Sequence, residues 1–262
     1  MRRFGFRGGG SASYVAQAVH FDGSNDYLSR AASFTGAADS KKWTFSAWVK
    51  ASADTSNIMQ ILSSRNVASS QVRTSVFRLP STSGFPFALD VTGHRPASSN
   101  EGLVLVSPSN SLAVAEGWVH ALFSVDMADT AKRHLYLNDV SSLAAAVIYT
   151  NDNLDFTLPD WFVGAAAHTS GDKFFGDMAD MWHAPGVYVD LSVEANRRKF
   201  ISAAGKPVDL GGDGSLPGLG VPTLYLSRRV GGSVASFAAN GGSGGGMTVN
   251  GTLTAASTSP SD

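Results

Sequence analysis

Two acidic residues are the first candidates for catalysis in this chain. Asp177 and Asp180 lie in an apolar run, residues 173–182, that is followed by the turn-forming pair Pro185-Gly186. Cleavage of a glycosidic bond needs two carboxyl groups that converge on one face. Residues three apart point to opposite faces of a regular strand, so this pair converges only if a bulge realigns it. The preferred interpretation is that both acids lie near a strand edge, solvated or bonded to backbone amides, without a catalytic role.

Three aromatic residues are candidates for binding a sugar. Trp48, Trp118 and Tyr136 alternate with apolar residues, which places them on the mixed faces of predicted strands. Aromatic rings on a concave sheet stack on the apolar face of a sugar. The alternative, which we prefer, is that a loop or a helix covers these rings as part of the hydrophobic core.

The N-terminal segment is predicted to be a docking arm, residues 1–12, and not a signal peptide, because it has no apolar stretch behind its basic residues. Residues 1–10 hold two phenylalanines and three arginines among four glycines. Such a segment cannot form a core, but it can follow the surface of a partner or of another copy of the chain. The residues expected to make these contacts are Arg2, Arg3, Phe4, Phe6 and Arg7.

No metal or other cofactor is predicted. The chain has no cysteine, and its six histidines show no pair at metal-ligand spacing. The stretch 151–155 resembles a calcium-binding loop, although it lacks the first acid, the glycine and the terminal glutamate of that motif. Calcium binding there stays open as an alternative.

Alternating apolar residues predict the strands that carry these side chains. In residues 43–50 and 118–126, one face is apolar and the other is mixed, as expected for a two-sheet sandwich with one sheet half open to solvent or to a partner. Further strands are predicted at residues 58–63, 74–79, 87–91, 103–106, 134–137, 223–226 and 247–253. One short helix is predicted near residues 191–203, with Ser192 as its N-cap.

Composition agrees with this pattern. Apolar residues make up 43% of the 262 residues, and 28 glycines and 10 prolines indicate many short strands and turns. The net charge of −1 gives no reason to expect nucleic acid or an anionic membrane as a partner. No run approaches the roughly 18 apolar residues of a membrane span. We therefore predict one domain, residues 13–262, with a Gly/Pro loop at 206–222 and returning strands and a tail at 223–262.

Four segments, 21–28, 43–50, 118–126 and 173–182, resemble in order and spacing the laminin-G-like, concanavalin A-like jelly-roll superfamily over about residues 15–203. The resemblance implies an all-β, two-sheet antiparallel jelly roll, but it does not define a function, because the superfamily includes lectins, glycosidases, adhesion modules and virion proteins. Its glycosidases carry Glu-x-Asp-x-x-Glu on a comparable strand. Here Ala179 and Trp182 replace the second and third acids, so we predict that the chain is not an enzyme.

The rarer segments resemble laminin-G-like proteins encoded among bacteriophage structural genes. These segments are the basic arm that leads into 21–30, the block 175–180, residues 197–201, and the tail regions 237–240 and 251–260. This resemblance implies a virion structural protein, either a head decoration or a tail-attached lectin-like subunit. Such a subunit would assemble through its terminal arms with other virion proteins or with its own copies. The alternative is a carbohydrate-binding module or receptor-binding lectin that recognises a cell-surface glycan, and a glycoside hydrolase comes third.

Overall fold

The computed structural model describes residues 14–66, 71–167, 171–229 and 231–262. The predicted arm, residues 1–12 with Arg2, Arg3, Phe4, Phe6 and Arg7, lies outside the described residues, and its docking role stays a prediction. In chain order, the strands of the described residues are β1 (Ala16–Gln17), β2 (Val19–Asp22), β3 (Tyr27–Arg30), β4 (Lys42–Ala51), β5 (Met59–Asn66), β6 (Gln71–Arg78), β7 (Leu89–His94), β8 (Glu101–Val106), β9 (Val119–Asp126), β10 (Arg133–Leu137), β11 (Val140–Ser141), β12 (Ala145–Tyr149), β13 (Asp160–Val163), β14 (Phe175–Pro185), β15 (Leu224–Leu226), β16 (Arg228–Arg229), β17 (Thr248–Asn250) and β18 (Thr254–Ala255).

These strands form two large antiparallel sheets. Sheet I has the order β11-β10-β9-β4-β14-β2-β18, and β15 also pairs with β14. Sheet II has the order β12-β8-β7-β6-β5-β13-β3-β17, and β1 and β16 form a separate two-stranded ribbon. The prediction of an all-β, two-sheet antiparallel sandwich is confirmed.

The main hydrophobic core lies between the two sheets. The alternate residues Trp43, Phe45, Ala47 and Val49 of β4 all belong to it, as do Val119, Ala121, Phe123 and Val125 of β9. Sheet II contributes Leu62, Val76, Val91, Leu103 and Leu105, among others. The period of two in the sequence therefore identifies the inward face of both central strands correctly.

A second apolar layer covers part of the outer face of sheet I. Leu122 and Trp182 point away from the main core and pack with residues of the segment 187–225, namely Val189, Leu191, Phe200, Leu210 and Tyr225. Trp182 is fully buried, and its indole N–H donates to the carbonyl oxygen of Gly214 at 2.9 Å. The outer face of sheet I is therefore closed around Trp182, because this long connection folds back and buries the apolar side chains there.

Helical structure is limited to short turns. Helix α1 (Glu194–Arg197) lies inside the predicted range, but Val193 is its N-cap and no side chain caps it. Ser192 does not cap the helix, because its hydroxyl donates to Asp190 instead. Besides this helix, the described residues contain a second short helix, α2 (Val234–Ala238), and a 3₁₀ turn (Val114–Glu116), neither of which the sequence pattern indicates. None of the described helices is long and apolar enough to span a membrane.

Candidate functional site

The acidic pair lies at a bulge in β14. Ala179 is opposite Trp48 and Trp182 is opposite Ser46, so β14 contains one residue more than β4 between these pairs. Asp180 sits in this bulge with a φ of 46°. The bulge marks the point at which β14 changes its neighbour from β2 to β15.

The two acids serve separate contacts. The Nδ1 atom of His20 lies 2.7 Å from a carboxylate oxygen of Asp177. Asp180 is 2% exposed and accepts hydrogen bonds from the hydroxyls of Tyr14 (2.9 and 3.0 Å) and Ser227 (2.7 Å). The expectation that both acids are solvated or bonded to backbone amides is therefore wrong, because a bulge and two neighbouring strands bury them among side chains.

Burial dominates the electrostatics at Asp180. It raises the pKa of this carboxyl to about 6, although the hydrogen bonds from Ser227 and Tyr14 act in the opposite direction. Burial, and next the charge of Asp180, raises the pKa of Tyr14 above its usual range. The hydrogen bonds of Asp180 therefore link Tyr14, just before β1, and Ser227, between β15 and β16, to the bulge of β14.

An open cleft on the outer face of sheet I holds two of the three predicted aromatic residues. We call it the tail cleft, because residues of the C-terminal segment form one of its walls. Its volume is about 370 Å³. It is lined by Trp48, Lys50, Gly117, Trp118, Asn138, Gly205 and Lys206 and, from the C-terminal segment, by Thr258, Ser259, Pro260 and Asp262.

Strand alternation and a turn position the cleft residues. Trp48 and Lys50 both point outward from β4, and Trp48 packs against the ring of His120 with 4.8 Å between centroids. Trp118 follows Gly117, whose φ of 66° directs the chain into β9. Trp48 is only 3% exposed, whereas Trp118 is half-buried, so Trp118 is the ring that a ligand can reach.

Two side-chain donors meet at one oxygen in the tail cleft. The indole N–H of Trp118 donates to the hydroxyl oxygen of Thr258 at 3.2 Å, and the ammonium group of Lys50 donates to the same oxygen at 3.0 Å. On the other side of the cleft, the Lys206 ammonium group donates to the carbonyl oxygen of Asp262. The cleft therefore presents polar donors beside an aromatic surface.

The rings of Trp48 and Tyr136 pack within apolar clusters, as the preferred interpretation expects, and no three-ring platform forms. Tyr136 packs against the second apolar layer, and the guanidinium group of Arg197 lies 4.8 Å from the centre of its ring. Trp48 is covered, and only Trp118 offers an accessible ring in the cleft. Lys50 could have been found from its position two residues after Trp48, but Lys206 and Thr258 reach the cleft from distant segments, with no local signal in the sequence.

Two other pockets lie near the same strands. One, of about 330 Å³, shares Lys50 with the tail cleft and contains the His20–Asp177 pair. The other, of about 420 Å³, lies among loops and is lined by Asp22, Gly23, Thr55, Asn57, Met59, Asp172, Lys173 and Phe175. Neither pocket brings Asp177 and Asp180 together.

The described residues contain no group of three or more histidine or acidic side chains that could hold a metal ion. In the stretch 151–155, Asn151 accepts a hydrogen bond from Lys41, Asp152 pairs with Arg95, and Asp155 accepts from Thr157. The side chains that would be calcium ligands thus have three separate partners.

Several solved structures are similar to this chain. A proposed carbohydrate-binding protein from Bacteroides ovatus superimposes with a TM-score of 0.56 at 15% identity, covering 94% of this chain. The chain spans 61% of the length of that protein. A heptameric SAP-like pentraxin from Limulus polyphemus gives a TM-score of 0.47 at 12% identity, covering 67% of this chain and 78% of the pentraxin. Domains LG4-5 of the mouse laminin alpha1 chain give 0.46 at 12% identity, covering 70% and 46% of the two chains.

No curated protein sequence matches the chain significantly. The family profile Laminin_G_3, described as the concanavalin A-like lectin/glucanases superfamily, matches residues 22–183. This match covers more than half of the sequence and runs from the end of β2 to β14. The chain therefore belongs to the Laminin_G_3 family of the concanavalin A-like lectin/glucanase superfamily.

Proposed function

We propose that this chain is a non-enzymatic carbohydrate-binding domain whose site is the tail cleft. The observation that carries the proposal is the combination of an accessible indole ring with polar donors in one open cleft of about 370 Å³. Saccharides are bound in this way, with an apolar ring face against an aromatic side chain and hydroxyl groups against fixed polar groups. The solved structures with carbohydrate-binding descriptions have the same fold, and they support the proposal only to that extent.

The arrangement of the acids supports a binding role without catalysis. A glycosidase of this fold needs two carboxyl groups on either side of one bond. Asp177 is engaged with His20, and Asp180 is buried under Tyr14 and Ser227. Neither carboxyl group lines the tail cleft.

Glycan binding can be tested directly with the purified chain. We expect binding to at least one member of a panel of neutral and acidic polysaccharides, measured by affinity electrophoresis and then by calorimetry. Because a buried tryptophan contact contributes about 2 kcal/mol or more to binding, Trp118→Ala should weaken the affinity at least about thirtyfold. Phe85→Ala removes another partly exposed ring, which does not line the tail cleft, and should leave the affinity unchanged.

Two results would contradict the proposal. One is that no saccharide in the panel binds. The other is binding that Trp118→Ala does not alter, because the site would then lie elsewhere. Incubating the same panel with the chain and analysing the products by chromatography tests the non-enzymatic part. Cleavage of a saccharide that is lost in Asp177→Asn or Asp180→Asn would overturn the proposal that the chain is not an enzyme.

A virion role is a second proposal, and it rests on the sequence resemblance of residues 21–30, 175–180 and 197–201 to bacteriophage structural proteins. In this proposal the domain is a head decoration or a tail-attached subunit, and the tail cleft would bind a glycan on the host surface. Mass spectrometry of purified particles, followed by localisation on the virion, tests it. Absence of the protein from the particles would overturn the virion role and leave the carbohydrate-binding proposal standing.

A further inference from the structure

The hydroxyl of Thr258 occupies the tail cleft as a ligand would. A hydroxyl oxygen has two lone pairs, and here it receives two donors, the indole N–H of Trp118 and the ammonium group of Lys50. The cleft therefore favours a ligand atom that accepts hydrogen bonds at the position of the Thr258 hydroxyl oxygen. An anionic oxygen satisfies the same two donors more strongly than a neutral hydroxyl, because a hydrogen bond between charged groups is roughly twice as strong.

The charged side chains that line the cleft also favour an anionic ligand. Without the C-terminal segment, its lining contains two ammonium groups, Lys50 and Lys206, and no carboxylate. Two acids lie outside this lining: Asp139 pairs with Arg197 and Arg198, and Asp177, which is opposite Lys50 on β14, lies 2.7 Å from Nδ1 of His20 in the adjoining pocket. When the Thr258 hydroxyl is displaced, the indole N–H of Trp118 and the ammonium group of Lys50 become free at the same surface.

The C-terminal segment is anchored on both sides of Thr258. The side chain of Thr258 can therefore leave the cleft while the rest of the segment stays in place. The amide of Ala256 donates to the carbonyl oxygen of Ala18 at 3.1 Å. Beyond Thr258, the hydroxyl of Ser259 donates to the carbonyl oxygen of Ala16, and the amide of Ala16 donates to the hydroxyl of Ser261 at 3.0 Å. Thr258 itself is held in the cleft through one side-chain atom.

We propose that the tail cleft recognises the carboxylate of a uronate-bearing saccharide, and that the hydroxyl of Thr258 competes for this site within the chain. The proposal rests on the carbohydrate-binding function proposed above. A carboxylate oxygen takes the place of the Thr258 hydroxyl between Trp118 and Lys50. The sugar ring lies against the indole of Trp118. The apparent affinity of the full chain is reduced by the fraction of molecules in which Thr258 occupies the cleft.

The test uses the full chain and the isosteric variant Thr258→Val, which removes the competing oxygen and keeps the shape of the side chain. The probes are oligogalacturonate and alginate oligosaccharides, with maltotriose as a neutral saccharide, and binding is measured by calorimetry at low and high salt. We expect Thr258→Val to bind one of the uronate probes at least about tenfold more tightly than the unaltered chain. Thr248→Val, an exposed position on sheet II, is the matched control and should change nothing.

Lys50→Met provides the second measurement. It should remove most of the preference for the uronate probe and most of the salt dependence, because Lys50 is the cation that contacts the carboxylate and Lys206 remains. Equal affinity for uronate and neutral probes, or no gain in Thr258→Val, would overturn the inference. If a neutral saccharide then binds in a Trp118-dependent manner, the carbohydrate-binding function stands and only the inference fails. If no probe and no panel member binds to any variant, the proposed function fails as well.

Discussion

Replacing Asp180 with asparagine should alter how the stability of this protein depends on pH. Burial raises the pKa of Asp180 to about 6 in the folded chain, whereas an aspartate in an unfolded chain has a pKa of about 3.9. The folded state therefore binds this proton more tightly than the unfolded state does. The stabilisation is fully present below about pH 3.9, and it is lost as the pH rises through about 6.

The size of the effect follows from the two pKa values. A difference of about two pKa units corresponds to about 3 kcal/mol of unfolding free energy. Asparagine keeps an oxygen that accepts from Ser227 and Tyr14, and it carries no charge to bury. We therefore expect Asp180→Asn to match the unaltered chain near pH 4 and to be more stable by up to about 3 kcal/mol near pH 7.5.

The unfolding free energy of Asp180→Asn must be compared with that of the unaltered chain at each pH, because other buried groups titrate in the same range. Burial lowers the pKa of His120 and of His183 to about 3, so their contribution to stability is lost as the pH falls below about 6.5. Burial raises the pKa of Asp90 to about 6, in the same direction as for Asp180. Subtracting the pH–stability curve of the unaltered chain from that of Asp180→Asn removes the contributions of these other groups.

Urea denaturation between about pH 4 and about pH 7.5 gives the required unfolding free energies by linear extrapolation. Asp213→Asn changes an exposed acid whose pKa is lowered by hydrogen bonds from Ser215, so its difference curve should be flat over this range. A flat curve for Asp180→Asn would refute the reasoning, because the buried carboxyl would then not exchange its proton in this pH window.

Two further predictions concern the core. Trp43→Phe removes the indole N–H that donates to Nδ1 of His183 at 2.9 Å, so a fully buried acceptor loses its partner and the unfolding free energy should fall by roughly 1–3 kcal/mol. An unchanged urea midpoint would contradict this. Gly176→Ala places a methyl group 2.1 Å from the backbone oxygen of Lys50, so it should destabilise the fold by more than about 4 kcal/mol. Gly212→Ala, where no atom lies within 4 Å, is its control, and a similar melting temperature for both variants would show that the β4–β14 contact can relax.

The sequence predicts the parts of the fold that depend on local alternation. The inward residues of β4 and β9 were identified from the period of two, and the segments at 74–79, 103–106 and 134–137 coincide closely with β6, β8 and β10. The strands β12 and β13 were not predicted. Asp160–Val163 has only four residues, and one of them is the acid Asp160, so it carries little periodicity.

The candidate site was predicted only in part, because its remaining residues come together through distant contacts. Trp48 and Trp118 were selected for their position on mixed faces, and they do line one cleft. Tyr136 has the same local pattern, but the long segment after β14 covers it. The bulge at Asp180 depends on the change of strand partner along β14, which no short stretch of sequence encodes.

The bonds between residues 16–18 and 256–261 have a mechanical consequence. Ala18 bonds to Ala256, and Ala16 bonds to Ser259 and Ser261, so the two segments run in opposite directions side by side. Residues 14 and 262 lie at the same end of this row of bonds. A load applied there would therefore break the bonds one after another and not all together. Thr258 lies in the middle of this row, so tension would withdraw its hydroxyl from Trp118 and Lys50 before the main core yields. Single-molecule pulling should then show a low-force step of a few residues ahead of global unfolding. Under the carbohydrate-binding proposal, a domain held by these two ends would bind its saccharide more readily under strain.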